Sequence, residues 1–388
     1  MHADLQSNCP TVIAYFTDTY VPQVNGLVTS ILTSREELEK TGHEILIFAP
    51  TIKGIQAEKN VYFLGGFPYF PQPEYTFVLP WGKNFSLRKF RDLKIDIIHS
   101  HAMFGSGFIG TMLAWWFKIP LVFTYHTLFE QYLHYFPGPR KLGYAINKAL
   151  TRFMCNRCAL IIAPTQAIKE VLQGYGTTSR IEVLPTGLTR DAFVRSGARK
   201  ADFGVPDNAL LFSSAGRLGR EKNFDVLLKA LASLGDTIPA WRLIIAGDGP
   251  ERNNLLKLAE VLKIRDRITV LGYVSRDKVL DLLEASTLFT FASVSETQGM
   301  VILEAMARRT PVIAADAMGP GQMMKGDRGG WLARPNDADD LAAKIAAALS
   351  DQTARDHKAA EAEWMAREYA AEAINIRLAR FYAETLTP

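Results

Sequence analysis

Glu296 and Glu304 stand on either side of Thr297-Gln298-Gly299-Met300-Val301-Ile302-Leu303. The apolar, aromatic run at 288–294 has the length of a buried parallel strand, and 300–309 is built of strong helix formers. Glu296 therefore belongs to a strand-to-helix turn. Such a turn points backbone N–H groups and the positive end of the helix dipole outward, and Gly299 carries no Cβ to obstruct an anion. Glu304 falls inside an apolar helix, where a carboxylate costs several kcal/mol unless a partner meets it. A ligand hydroxyl is one such partner. The plainer alternative is that Glu296 caps the helix and Glu304 pairs with a structural arginine. The chemical reading is a pocket for a nucleotide sugar.

Other turns add to that reading. The strand-like run 210–215 leads into Gly216-Arg217-Leu218-Gly219-Arg220-Glu221-Lys222-Asn223. Arg217 and Lys222 suit a pyrophosphate, one as a planar fork and the other as a mobile point charge. After 242–246 comes Gly247-Asp248-Gly249-Pro250, a tight turn that would let a flat base approach the backbone. After the first strand, Asn25-Gly26 precedes a helix and offers amides to an anion. Carboxylates repel phosphates. Glu296 and Glu304 are thus expected to hold neutral hydroxyls at the two ends of a pyrophosphate gripped by Arg217, Lys222 and the amides near Gly299.

The elements that must position these residues alternate along the whole chain. Strands are expected at 12–17, 45–49, 95–99, 121–125, 160–163 and 181–184, then at 210–215, 242–246, 268–271, 288–292 and 311–315. Helical segments such as 225–234 and 338–349 separate them. At 388 residues the chain exceeds one core. The expected fold class is α/β, with two doubly wound Rossmann-like domains facing across a cleft and a hinge within 185–206. Ligands of such sheets lie beyond the carboxyl ends of the strands.

Composition narrows the class. Apolar residues at 48% and charged residues at 22% are globular values. No run has the apolar length of a membrane span, and the N-terminus lacks signal-peptide order, so a cytoplasmic protein is expected. Three cysteines, Cys9, Cys155 and Cys158, form no disulfide framework. A net charge of +4 gives no reason to expect nucleic acid, but 18 Lys and Arg face 13 Asp and Glu in residues 1–190. Lys83, Arg88, Lys89, Arg91 and Lys94 follow the aromatic residues Phe67, Tyr69, Phe70, Tyr75, Phe77 and Trp81. Rings beside cations suit an anionic membrane surface; a loop with packed rings and solvated charges fits equally well.

Taken together, these residues resemble the family-four retaining glycosyltransferases of GT-B fold. The element at 296–304 is followed by Ala305-Met306-Ala307 and Pro311-Val312-Ile313-Ala314, while Gly216-Arg217 with Glu221-Lys222 and Gly247-Asp248-Gly249-Pro250 occur in the expected order. The resemblance implies that Glu304 binds the ribose, Glu296 the hexose, Arg217 and Lys222 the diphosphate, and the backbone of Tyr273 and Val274 the base. His126, in Tyr125-His126-Thr127, matches the family histidine near the anomeric centre, so His126 and Glu296 are the catalytic candidates. Thr297, Gln298, Gly299, Met300 and Val301 join the donor-binding set with Gly26 and Gly247. Asn25 stands where the family more often has glycine. Asp18 and Gln23 are the acceptor-side candidates.

The same resemblance implies an acceptor-side domain at 1–190, a donor domain at 191–365, and a terminal helix at 366–388 returning to the first. Phe16-Thr17-Asp18-Thr19-Tyr20, Thr124-Tyr125-His126-Thr127 and Ser295-Glu296-Thr297-Gln298-Gly299 are similar to diacylglycerol glucosyltransferases. That implies UDP-glucose as donor, a membrane lipid as acceptor and an α-linkage made without a metal, with the protein peripheral on the cytoplasmic face of the membrane. A mannosyl donor such as GDP-mannose, with a lipid or polysaccharide acceptor, stays open.

Competing motifs have simpler uses. Gly105-Ser106-Gly107-Phe108-Ile109-Gly110 matches a dinucleotide fingerprint but follows the wrong strand, so close helix packing is expected instead. Asp337-Ala338-Asp339 resembles an acidic metal triplet, yet Asp337 is placed to cap a helix. Cys155 and Cys158 end a helix and suit a core. His99 and His101 lie at the end of the third strand, as structural or site residues. A sensor that clamps a nucleotide sugar without transfer would need neither His126 nor Glu296.

Overall fold

The computed structural model describes residues 10–387 except 24, 52–57, 69–75, 79–85, 104, 129, 131–138 and 236, with backbone alone at 67, 68, 76, 77 and 140. The chain divides into two compact units, Met1–Gly187 with Ala371–Pro388, and Leu188–Ala370.

In the first unit the chain order is β1 (Val12–Phe16), α1 (Gly26–Lys40), β2 (Glu44–Pro50), β3 (Val61–Leu64), β4 (Gly66–Pro68), β5 (Thr76–Val78) and α2 (Leu87–Asp92). There follow β6 (Ile97–Ser100), α3 (Gly105–Phe117), β7 (Leu121–Thr124), α4 (Arg140–Cys155), β8 (Leu160–Ala163), α5 (Gln166–Gly174) and β9 (Ile181–Val183). Seven parallel strands pair in the order β3-β2-β1-β6-β7-β8-β9, and β4 with β5 form a separate antiparallel pair.

The second unit runs β10 (Leu210–Ala215), α6 (Phe224–Leu234), β11 (Trp241–Ala246), α7 (Arg252–Val261), β12 (Ile268–Gly272), α8 (Arg276–Ala285) and β13 (Leu288–Phe291). It continues with α9 (Met300–Ala307), β14 (Val312–Ala315), α10 (Met318–Met323), β15 (Gly330–Ala333), α11 (Ala338–Ser350) and α12 (Gln352–Arg367). Its six parallel strands lie in the order β12-β11-β10-β13-β14-β15. The last helix, α13 (Ala371–Leu386), belongs to the first unit.

Both sheets have apolar side chains on both faces, as strands covered by helices on two sides require. On β10, Leu211 and Ala215 join one core layer and Phe212 the other, following the two-residue period. On β1, Ile13 and Tyr15 face a layer completed by Ile374, Leu378, Phe381 and Tyr382 of α13. Phe16, on the opposite face, stacks on Phe48 with ring centroids 4.6 Å apart. Each fully buried side chain of this size stabilises by about 2 kcal/mol. In each sheet the strand order reverses once, between β1 and β6 and between β10 and β13, and that reversal is where open α/β sheets bind ligands.

Several expectations need adjusting. The third strand starts at Ile97, since Asp96 lies outside it and accepts the Val12 N–H at 2.8 Å. Val61–Leu64 and Gly330–Ala333 are strands that hydrophobic pattern did not single out. The aromatic residues Tyr69, Phe70, Tyr75 and Trp81, with Lys83, lie outside the described residues, as do the side chains of Phe67 and Phe77. Arg88, Lys89, Arg91 and Lys94 are exposed around the buried Phe90. Asp337 accepts the Asp340 N–H at 2.9 Å and caps α11. Cys155 and Cys158 are buried in the first unit, where burial pushes the Cys155 thiol up to about 12; Cys9 lies outside the described residues. Gly107 and Gly110 abut Ala102 and Phe16, which accounts for the fingerprint-like spacing by packing. No helix among the described residues is long and apolar enough to cross a membrane.

Candidate functional site

In the second unit the loops after β10 and β13 meet at the reversal of strand order. Glu296 and Lys222 form an ion pair there, with Lys222 the more buried partner. The Glu296 loop is tied to its surroundings through backbone. Ser295 donates to Glu221 O at 3.3 Å, and the Gly319 N–H at the start of α10 donates to Glu296 O at 3.1 Å. Gly299 then adopts a left-handed φ of 86° as N-cap of α9, a conformation glycine reaches without strain. Its position makes Glu296 a loop residue rather than the cap of that helix. Thr297 and Gln298 lie in the same turn, while Met300 and Val301 are the half-buried first residues of α9. Arg217, directly after β10, is half-buried and engaged within the protein.

Glu304 sits one turn deeper in α9, almost wholly buried. Its Oε1 accepts from Arg276 Nε at 2.9 Å, and Arg276 reaches Asp191 with another arm. Burial raises the Glu304 pKa, and the adjacent Arg276 charge opposes that rise. The arginine of the plainer alternative thus exists. It fixes the charge and direction of the carboxylate, and it was not singled out from sequence. A signal was available: Arg276 occupies the first turn of α8, where the helix dipole disfavours a cation unless a nearby acid compensates.

At Gly247 a Cβ would stand 2.0 Å from Gly216 O, so the missing side chain admits the neighbouring loop's backbone. Leu218 N–H to Asp248 O at 2.9 Å and Gly247 N–H to Gly272 O at 2.9 Å hold three strand ends together. The last of these places Tyr273 and Val274 just beyond β12, with Tyr273 74% exposed.

In the first unit, Asp18 follows β1 and accepts from both the N–H and the hydroxyl of Ser106, each at 2.7 Å, across the reversal between β1 and β6. It thereby caps α3, and burial raises its pKa to about 6. Gln23 is half-buried, its N–H donating to Tyr20 O at 3.1 Å. Gly26 begins α1, but Asn25 Oδ1 already accepts the Val28 N–H at 3.0 Å, so one amide expected to meet an anion has a protein partner. His126 follows β7 as a half-buried residue, and burial lowers its pKa to about 4. His126 Nε2 lies 3.0 Å from His101 Nδ1. Among the described residues no group of three or more acidic, histidine or cysteine side chains could hold a metal.

Residues 24–191 match the family described as Glycosyltransferase Family 4, and residues 197–364 match Glycosyl transferases group 1. The alpha-monoglucosyldiacylglycerol synthase of Streptococcus pneumoniae is 32% identical over 311 residues, covering 78% of this chain and 70% of that protein. The Acholeplasma laidlawii protein of the same name is 28% identical over 319 residues, 78% and 79% of the two chains. Among solved structures, HepE of Anabaena in complex with UDP and glucose superposes with a TM-score of 0.78 at 20% identity, over 96% of this chain and all of that one. Sucrose-phosphate synthase of Thermosynechococcus elongatus gives 0.80 at 19% identity, over 96% and 98%. These structural likenesses establish the two-domain Rossmann-like fold.

Proposed function

The chain belongs to glycosyltransferase family 4, and on that premise we propose that it moves glucose from UDP-glucose to a membrane lipid of the diacylglycerol type, making an α-linkage with retention and without a metal. The observation that carries the reading is the Lys222–Glu296 pair at the ends of β10 and β13. A diphosphate arriving there competes with Glu296 for the lysine, and Glu296 is then released to accept hydrogen bonds from sugar hydroxyls. Arg217 and the amides after Gly299 add positive potential that grows in value as charge develops on the leaving diphosphate. Glu304, its charge and direction held by Arg276, accepts from the ribose hydroxyls, and Tyr273 with Val274 borders the base. His126 serves the transferred sugar. In the transfer the bond from C1 to the phosphate oxygen breaks, the acceptor oxygen bonds to C1, and UDP leaves as the acceptor's proton is released.

The lipid acceptor draws support from the names of the relatives and from α4. On that helix Leu142, Ile146, Ala149 and Phe153 are exposed at helical spacing, while Gly143, Asn147 and Thr151 are buried. Lys141, Lys148, Arg152 and Arg157 accompany the apolar stripe, and 141–158 contains no acid. An apolar stripe flanked only by cations matches the surface of an anionic bilayer. We assign the membrane-facing role to α4 in addition to the basic residues of α2.

The test is incubation of the purified protein with UDP-glucose or GDP-mannose and diacylglycerol in anionic vesicles, with products identified by mass spectrometry and anomeric coupling. An α-glucosyl lipid is expected from UDP-glucose. A product from GDP-mannose only, or a β-linkage, overturns the reading. Glu296→Ala and His126→Ala are expected to lower turnover more than UDP affinity.

A further inference from the structure

We propose that His101 is a positioning residue for the transfer: it donates from Nδ1 to His126 Nε2, and so fixes which ring nitrogen of His126 carries the proton that meets the sugar. The inference rests on the reading that His126 serves that sugar.

The His101 side chain has little freedom. Its backbone N–H donates to Phe16 O at 2.8 Å, and the residue is 4% exposed. Its ring centroid is 4.1 Å from that of His99, 4.6 Å from Tyr15 and 5.3 Å from His126. His99 is itself held at both nitrogens, by Thr124 Oγ1 at 2.7 Å and by the hydroxyl of Tyr382 on α13. The stack of rings that ends at His126 is therefore braced against the terminal helix.

The proton can be placed by elimination. Burial and mutual repulsion keep His99 and His101 neutral, and burial does the same for His126. Two neutral imidazoles 3.0 Å apart share one hydrogen, so one nitrogen donates and the other accepts. His101 Nε2 is buried without a hydrogen-bond partner among the described residues. Were the His101 proton on Nε2, a buried N–H would be stranded, at the full desolvation cost of a donor. With the proton on Nδ1, Nε2 is left a bare acceptor, an orphan that buried structures tolerate more often than a stranded N–H, and the residue lines a cavity of about 30 Å³ with Ser30, Thr33, Ser34 and Thr124. His101 therefore donates, and His126 carries its own proton on Nδ1, the reverse of the Nε2–H form an unconstrained imidazole favours.

The experiment uses the full chain with its seven histidines labelled with nitrogen-15, the His126 signals being assigned by His126→Gln. Two-bond proton–nitrogen spectra at neutral pH are expected to show His126 protonated on Nδ1 in the native protein and on Nε2 in His101→Phe. His101→Asn, whose side-chain N–H can stand in for Nδ1–H, is expected to keep the native pattern and most of the turnover. His101→Phe is expected to lower kcat about tenfold or more with a smaller change in donor KM, and to add nothing to His126→Ala. A native His126 protonated on Nε2, or losses in His101→Phe and His126→Ala that multiply in the double variant, overturns the inference. If His126→Ala alone leaves kcat intact, the assignment of His126 to the sugar fails, while the spectra still decide the proton's position.

Discussion

Asp18, an acceptor-side candidate in the sequence, caps α3 through Ser106, and its pKa is raised to about 6 from 3.8 by burial. A carboxyl with a raised pKa stabilises the fold fully below its unfolded value, and that contribution is lost as pH rises through 6. Asp18→Asn removes the titration and keeps an oxygen for the Ser106 N–H. The variant is expected to gain about 2 kcal/mol relative to the native chain between pH 4 and 7, somewhat less than the full shift gives because the carboxyl retains some solvent contact. Urea unfolding of both proteins at several pH values measures this, and a pH-independent difference would refute it. Residues whose chemistry declares itself locally were legible: Glu296, Lys222, Gly299 and Glu304 all come together in one unit. Arg276 and Asp191 were not, because their role depends on side chains that meet only after folding.

Among elements, the parallel strands were the most legible. Leu160–Ala163 and Leu210–Ala215 are apolar runs because both faces of each are covered. Strands β3 and β15 lie at the edges of their sheets and are bordered or opened by glycine, Gly65 after one and Gly330 in the other, which interrupts the apolar run a central strand shows. In helix α4, whose end at Cys155 was expected, it was the exposed face that the sequence did not reveal. Its apolar residues look like a core face in sequence, and only the fold shows that the small and polar face is the one buried. If the exposed stripe meets a bilayer, Leu142→Glu with Phe153→Glu should reduce sedimentation with vesicles rich in anionic lipid by tenfold or more and leave UDP affinity unchanged. Equal sedimentation of the native and double-variant proteins would count against that use of the helix.

At the level of the whole molecule, a hinge was expected inside 185–206 and the family resemblance implied a return of the C-terminal helix; the units divide after Gly187 and again after Ala370. The second unit is one continuous piece with cores on both faces of its sheet. The first takes Ile374, Leu378, Phe381 and Tyr382 from the end of the chain. A fragment of 188–370 is expected to unfold cooperatively by itself, whereas 1–187 alone should lack a sharp thermal transition, since removing even one large core side chain costs about 3–5 kcal/mol. Circular dichroism melts of the two fragments decide the matter; a sharp transition for 1–187 would be the contrary result. For a chain emerging from the ribosome, this arrangement inverts the usual order of maturation. The first unit must wait, incomplete and open to chaperones, until the whole second unit has been made and the closing helix has left the exit tunnel.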